Sequence, residues 1–128
     1  MRVIRKKPVA FDKRGVITDI LEGTKIDSVT VLTSKKGAVR GNHYHKKTTQ
    51  YAYVVEGKFR LYTQKDGGRV ETKVIKKGDL VITLPKERHA FVALEDSILL
   101  ACCYGQRRGK QYEDDTYRLR GPISSRRK

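Results

Sequence analysis

The sequence predicts an all-β protein of one domain, and three observations support that fold class. Short runs of β-branched and aromatic residues recur along the 128-residue chain, separated by turns rich in glycine, aspartate and lysine. No segment keeps the 3.6-residue apolar period of a long helix, and residues 111–119 are only a weak helical candidate. The length suits one hydrophobic core and is short for two. These features together are typical of a β-sandwich or β-barrel.

Six segments have the composition of short strands: 15–18, 28–33, 58–63, 69–75, 90–94 and 98–104. In the third of them Phe59 and Leu61 alternate with the charged Arg60, as expected when one face of a strand is buried. The sequence Asp66-Gly67-Gly68 follows and tolerates the positive φ angles of a hairpin turn. The fourth segment is therefore expected to return beside the third.

Histidine is rare in this chain, and its three copies fall in two further strand-like segments. His43 and His45 are two residues apart, so in a strand both imidazoles point to the same face of the sheet. His89 lies in the second of these segments. A neutral imidazole binds transition metals, and it can also accept a proton near neutral pH. The pattern therefore predicts a metal site or a proton-transfer site.

The spacing of these two segments resembles the two motifs of the cupin superfamily. Residues 37–57 place a glycine, the His43-x-His45 pair, Gln50 and a second glycine at the intervals of the first motif, which has glutamate where Gln50 stands. Residues 78–93 resemble the second motif, with a glycine and a histidine over the same span. Two departures are a proline that comes one residue late and a missing later glycine.

The resemblance implies a small single-domain cupin, whose fold is a double-stranded β-helix or jelly roll with the site in its interior. On this basis residues 1–120 form the domain. Residues 121–128 then form a basic C-terminal tail, which is expected to be disordered. The resemblance also implies a homodimer, formed through an edge strand or an exchanged N-terminus, since an exposed sheet edge needs to be covered.

The cupin pattern further implies a ligand set for one divalent ion of Zn, Mn, Fe or Ni, and spacing alone does not choose among these metals. The corresponding residues in this chain are His43, His45, Gln50 and His89. The amide of Gln50 lacks the negative charge of the family's glutamate, so metal affinity should change. In the alternative interpretation, Gln50 hydrogen-bonds a histidine in a metal-free pocket.

Residues 40–46, Arg-Gly-Asn-His-Tyr-His-Lys, resemble two groups of sugar-modifying cupins more closely. One group is the nucleotide-linked 4-keto-sugar 3,4-ketoisomerases, which have Gln at the position of Gln50 and work without metal. The other is the zinc-binding cupin domain of capsular polysaccharide biosynthesis enzymes, which residues 113–117 also resemble weakly. The resemblance implies proton transfer on a nucleotide-linked keto-sugar, with His45 as the base and His43 as its partner.

Three more residues are candidates for substrate contact. Arg40 precedes the histidine pair, and a guanidinium can pair bidentately with a diphosphate. Arg60 and Tyr62 either line the mouth of the barrel or lie outside it. Two other classes of function stay open. One is a metal-dependent enzyme, such as a dioxygenase or phosphosugar isomerase, and the other is a non-catalytic cupin that binds a sugar or effector.

The chain is strongly basic, with 29 Lys and Arg against 14 Asp and Glu and a formal net charge of +15. Such a field attracts anions, which favours a phosphorylated or nucleotide-linked small molecule, although a lysine-rich surface explains it equally well. Nucleic acid is not an expected partner, because no binding motif accompanies the basic runs. No apolar run approaches the ~18 residues of a membrane span, so no membrane association is expected.

Cys102 and Cys103 are adjacent and therefore poorly placed to bridge each other. On a strand they would face opposite sides, which predicts one buried cysteine and one surface thiol. The N-terminus lacks the apolar stretch of a secretory signal. These two features indicate a reducing, cytoplasmic location.

Overall fold

The strands of the protein are short, and a computed structural model describes them over residues 1–105 and 114–123. In chain order they are β1 (Arg2–Arg5), β2 (Ala10–Asp12), β3 (Gly15–Ile17), β4 (Ser28–Ser34), β5 (Val39–Tyr44), β6 (Thr49–Glu56), β7 (Lys58–Gln64), β8 (Val70–Lys76), β9 (Asp79–Thr83), β10 (Arg88–Ala93), β11 (Ser97–Tyr104) and β12 (Tyr117–Arg118). Over these two ranges no helix is long and apolar enough to cross a membrane.

Two five-stranded antiparallel sheets form the body of the fold. The first sheet has the order β1-β9-β6-β11-β4, and the second has the order β12-β5-β10-β7-β8. From β4 to β7, and again from β8 to β12, consecutive strands alternate between the two sheets. This winding is a jelly roll, so the all-β double-stranded β-helix predicted from the sequence is confirmed. Strands β2 and β3 form a separate hairpin.

The interior of the barrel is apolar at one end. Phe59 and Leu61 of β7 alternate with outward residues, as their period-two pattern predicted, and are fully buried. Phe59 meets Phe91 of β10 edge to face, with ring centroids 6.0 Å apart. The first sheet contributes Val54 and Leu99 to the same cluster. These contacts make this end a packed core.

The predicted hairpin between β7 and β8 is confirmed, and Gln64 lies opposite Val70 at its end. Two other local expectations are wrong. Cys102 and Cys103 are both buried, and neither is in a disulfide, although one was expected at the surface. Residues 117–118 of the weak helical candidate form β12, because pairing with β5 satisfies their backbone. The first part of that candidate, 111–113, lies outside the described residues.

The sequence predicted that a C-terminal tail begins at residue 121, but this boundary is too early. Ile123 is 1% exposed, and its backbone N–H donates to the Asn42 side chain. The same side chain donates to the carbonyl of Gly121. Residues 121–123 are therefore packed against the barrel because these bonds and one buried apolar side chain hold them. Residues 124–128 lie outside the described residues.

Candidate functional site

The inward positions of the barrel change from apolar to polar along each central strand. On β10 the inward side chains are Ala93, Phe91 and then His89, all buried. On β6 they are Val54, Ala52 and then Gln50. Inward positions recur every second residue. The next inward position on each of these neighbouring strands is polar, so the polar side chains lie together at one end of the barrel. A cavity of about 280 Å³ lies at that end.

A bulge in β5 directs His43 into the cavity. His89 of β10 lies opposite His43, but the next residue, Ala90, lies opposite Gly41, so Asn42 is an extra residue in β5. Gly41 and Asn42 have φ angles of 85° and 60°, the left-handed region that such a bulge requires. A Cβ at Gly41 would lie 3.0 Å from the carbonyl oxygen of His89. Without the extra residue, His43 would point away from the face that Arg40 occupies.

The three histidines converge, as the sequence predicted. The ring centroid of His43 is 4.7 Å from that of His45 and 4.7 Å from that of His89, and the remaining pair is 5.4 Å apart. One ring nitrogen from each residue lies within 4.8 Å of the others. His45 is 3% exposed and His89 is fully buried. This geometry suits a shared ligand or a shared proton.

Backbone carbonyls orient two of the rings. Nδ1 of His45 lies 2.8 Å from the carbonyl oxygen of Asp115, and Nδ1 of His89 lies 3.3 Å from that of Glu87. Because a carbonyl oxygen only accepts hydrogen bonds, each Nδ1 is placed to donate a hydrogen, and in a neutral ring Nε2 then carries the lone pair. The buried Nε2 of His89 has no hydrogen-bond partner among the described residues. A buried polar atom in that state is satisfied by a bound water, an ion or a ligand.

Burial lowers the pKa of His89 well below its ordinary value, and the nearby His43 and His45 lower it further. His89 is therefore neutral at physiological pH. A ring that resists protonation is a weak base, so His89 is better suited to binding a ligand through its lone pair than to carrying a proton.

The charged side chains that line the cavity are cationic. Arg40 lies at its edge, where its guanidinium donates to the hydroxyl of Ser34 and the carbonyl of Thr33. Arg118 of β12 also lines the cavity and stands opposite His43 in the register. No carboxylate belongs to the described lining. The cavity therefore favours an anionic ligand.

The structure brings five predicted residues to the cavity: Arg40, His43, His45, Gln50 and His89. It does not bring Arg60 and Tyr62 there. Both alternate along β7 with the buried Leu61 and Thr63, so they lie on the outer face of the second sheet. Two polar lining residues escaped the sequence analysis, Thr116 and Arg118. The weak resemblance of residues 113–117 includes Thr116, whereas Arg118 follows that motif and had no sequence signal.

A jelly roll with a histidine-lined cavity between its two sheets is the architecture of a cupin-type protein. Residues 10–117 match the family model described as the polysaccharide biosynthesis C-terminal domain, and the chain belongs to that family. No curated protein sequence matches the chain.

Solved structures with the same fold include both groups that the sequence resembled. A double mutant of the QdtA 3,4-ketoisomerase from Thermoanaerobacterium thermosaccharolyticum in complex with TDP is 25% identical, with a TM-score of 0.70, over 92% of this chain and 86% of that one. The capsular polysaccharide assembling protein CapF from Staphylococcus aureus is 23% identical, with a TM-score of 0.63, over 86% of this chain but only 33% of its own.

A third match is the dTDP-4-dehydrorhamnose 3,5-epimerase from Sulfolobus tokodaii. It is 21% identical, with a TM-score of 0.71, over 84% of this chain and 71% of that one. The match to this epimerase, like the match to CapF, supports the fold of the chain.

Proposed function

We propose that the protein catalyses proton transfer on a nucleotide-linked keto-sugar, as an isomerase or epimerase of polysaccharide biosynthesis. The observation that carries this proposal is the convergence of His43 and His45 in a cavity whose charged lining residues are cationic. Further support comes from the family, whose description is polysaccharide biosynthesis, and from the 3,4-ketoisomerase that was solved with TDP.

The proposed base is Nε2 of His45. Its Nδ1–H is held by the carbonyl of Asp115, so the lone pair on Nε2 is available for the proton on the carbon next to the sugar ketone. Removal of that proton forms an enolate, and its oxygen is stabilised by a hydrogen bond from His43 and by the cationic walls. Return of the proton from His45 to the former ketone carbon, after enediol formation, gives a ketoisomer. An epimer forms instead when a second proton donor on the opposite face, a bound water or another acid, delivers a proton to the original carbon.

The proposed anion subsite consists of Arg40 and Arg118. Two guanidinium groups at one cavity suit a diphosphate, which accepts paired hydrogen bonds from each. Loss of a hydrogen bond to a charged group costs about 1.5–3 kcal/mol, so Arg40→Ala should weaken TDP binding by roughly 10- to 150-fold. Arg60→Ala is the matched control, because it removes the same charge from the outer face of the second sheet and should leave TDP affinity unchanged.

As the alternative use of the same ring nitrogens, we propose that His43, His45 and His89 bind one divalent ion of Zn, Mn, Fe or Ni, with Gln50 beside them. The three ring nitrogens fit such an ion in number and proximity, and the lone pair of His89 has no other use among the described residues. A bound ion would supply Lewis acidity towards the ketone oxygen. If an ion binds Nε2 of His45, that nitrogen has no lone pair left to accept a proton. The metal content of the protein therefore distinguishes a metal-free isomerase from a metal-dependent enzyme.

Elemental analysis of untagged protein and its His89→Ala variant tests the metal. About one ion per chain in the wild type, lost in the variant, supports the three-histidine site. No metal in either protein refutes it and leaves His45 as the base.

Incubation of the chain with a TDP-linked 4-keto-sugar in deuterium oxide tests proton transfer. We expect deuterium at the carbon next to the ketone with the wild type and not with His45→Ala, because an enolate exchanges its proton with solvent. Binding of TDP without exchange would show a non-catalytic binding protein. If the chain neither binds TDP nor exchanges deuterium, the proposed substrate class is wrong.

The proposed partner of the chain is a second copy of itself. On the outer face of the first sheet Val29 and Val31 of β4 are each 64% exposed, and they lie opposite Cys102 and Leu100 of β11. A contiguous patch of exposed apolar side chains supports an interface at this face. Because the chain carries a net charge of +15, two copies approach most easily through a face made of uncharged side chains.

Light scattering tests the homodimer. We expect a dimer for the wild type and a monomer for Val31→Lys, because a desolvated cation opposes burial of that face. The matched control is Val74→Lys, which places the same charge on the exposed part of β8 in the second sheet. A wild-type monomer, or a Val31→Lys dimer of unchanged stability, would refute this interface.

A cytoplasmic location is part of the same proposal. It is supported by the two buried cysteines, which form no disulfide, and by the nucleotide sugar that the proposed reaction needs.

A further inference from the structure

Asp115 lies immediately behind the candidate base and is 2% exposed. Its carboxylate accepts hydrogen bonds from the backbone N–H groups of Lys46, Lys47 and Thr48, at 3.0, 2.8 and 2.9 Å. It also accepts a bond from the Thr48 hydroxyl at 2.9 Å. The backbone carbonyl of Asp115 meanwhile accepts the Nδ1–H of His45 at 2.8 Å. One residue therefore holds both the turn that follows His45 and the ring of His45 itself.

We propose that Asp115 is a positioning residue for His45. The hydrogen bonds of its carboxylate connect residues 114–116 to the turn at 46–48, and we call this connection the tie. The tie fixes the position of the Asp115 carbonyl, and that carbonyl selects the Nδ1–H form of the His45 ring. The Nε2 lone pair then faces the cavity, as either a base or a metal ligand requires. The use of that lone pair rests on the proposed function, whereas the selection of the ring form does not.

The tie is strong because the carboxylate is ionised. Burial raises the pKa of Asp115, but the hydrogen bonds from Lys47, Lys46 and Thr48 outweigh burial and bring the pKa below its usual value. An ionised carboxylate has only acceptors, which matches the four donors that it meets among the described residues. An amide at this position would present an NH₂ group to one of those backbone N–H groups. Asp115→Asn should therefore break part of the tie with almost no change in size.

Other bonds keep the C-terminal segment in place when this tie is broken. The Leu119 N–H donates to the carbonyl of Asn42, and the Ile123 N–H donates to the Asn42 side chain. Tyr117 stacks on Tyr44, with ring centroids 5.3 Å apart. Because these contacts do not involve Asp115, the variant is expected to fold and to differ mainly at His45.

The matched control is Asp79→Asn. Asp79 is 7% exposed, and its carboxylate also holds a turn by accepting the Lys76 N–H at 2.9 Å. It accepts a second bond from Arg5 at 3.0 Å. The same chemical change is therefore made at another buried carboxylate, on β9 of the first sheet, where its partners are a backbone N–H and an arginine.

Nitrogen NMR of the histidine rings tests the proposal. The protein is studied free of metal, in chelator, at a pH where the imidazoles are neutral. We expect His45 to carry its hydrogen on Nδ1 in the wild type and in Asp79→Asn, and to become a mixture of both ring forms in Asp115→Asn. The His89 ring, held by the carbonyl of Glu87, is an internal control that should not change.

Retention of the Nδ1–H form by a folded Asp115→Asn protein would overturn the proposal, and so would a wild-type His45 protonated on Nε2. An equal change in both Asn variants would also overturn it, because the effect would then follow from general destabilisation. The proposed function fails in different experiments: the wild-type protein would then neither bind metal nor exchange deuterium. The NMR result would be unaffected by that failure. If Zn²⁺ does bind, Asp115→Asn should lower its affinity by about 10- to 100-fold.

Discussion

The two ends of the barrel interior are built by the same strands and behave as opposites. At one end Phe59 packs edge to face on Phe91, and the space between the sheets is filled. At the other end, one inward step along β10, His89 faces a cavity. The residues that stabilise this jelly roll and the residues suited to chemistry therefore lie at different positions along the same strands. Changes at the filled end should affect folding, and changes at the open end should affect binding and activity.

The largest expected effect is at the open end. Replacement of His43 and His45 together by alanine should abolish proton transfer, because loss of acid–base catalysis alone costs roughly 10²- to 10⁴-fold in rate. Deuterium exchange measures the rate, and elemental analysis measures any metal. The thermal unfolding midpoint should change little. An unfolded double variant would mean that these histidines belong to the core.

Phe59→Ala should produce the opposite result at the filled end. The side chain is fully buried, so its truncation should lower the free energy of unfolding by about 3–5 kcal/mol. Urea denaturation measures the loss. The fraction that remains folded should bind TDP with wild-type affinity. Weaker binding by the folded fraction would show that the two ends are coupled.

The stability of metal-free protein should fall as the pH drops below about 6.5, the ordinary pKa of histidine. Burial and the neighbouring histidines depress the pKa of His89 in the folded state, so between that depressed value and 6.5 only the unfolded chain binds the proton. The loss from this residue approaches about 1.4 kcal/mol per pH unit in that window. Urea denaturation between pH 8 and pH 5, compared with His89→Gln, measures it. An unchanged slope in the variant would assign the effect to other groups.

Gln50→Glu should give the smallest effect, a tighter divalent metal site. Gln50 lines the cavity beside the histidines, and a carboxylate there would add a negative charge next to the ion. Titration with Zn²⁺ measures the affinity, and we expect an increase of roughly tenfold, or about 1.4 kcal/mol. Unchanged or weaker binding would place Gln50 outside the ligand set.

Much of this architecture is readable from local spacing. The period of two predicted that His43 and His45 share a face, and it predicted the buried side of β7 from Phe59 and Leu61. The same period would place Arg60 on the outer face, so its proposed contact with substrate disagreed with information already in the sequence. The hairpin after β7 was predicted because its turn residues permit positive φ angles.

Local spacing was therefore enough to predict the β fold, the jelly roll through its motifs, and the faces of residues within single strands. Which distant segments meet depends on the packing of the whole chain. The bulge at Asn42, the arrival of Arg118 opposite His43 and the anchoring of His45 by Asp115 all join parts of the chain that are far apart in sequence. Spacing constrains neighbours because backbone geometry repeats over a few residues. Contacts between distant segments depend on how the whole chain packs, and no local period records them.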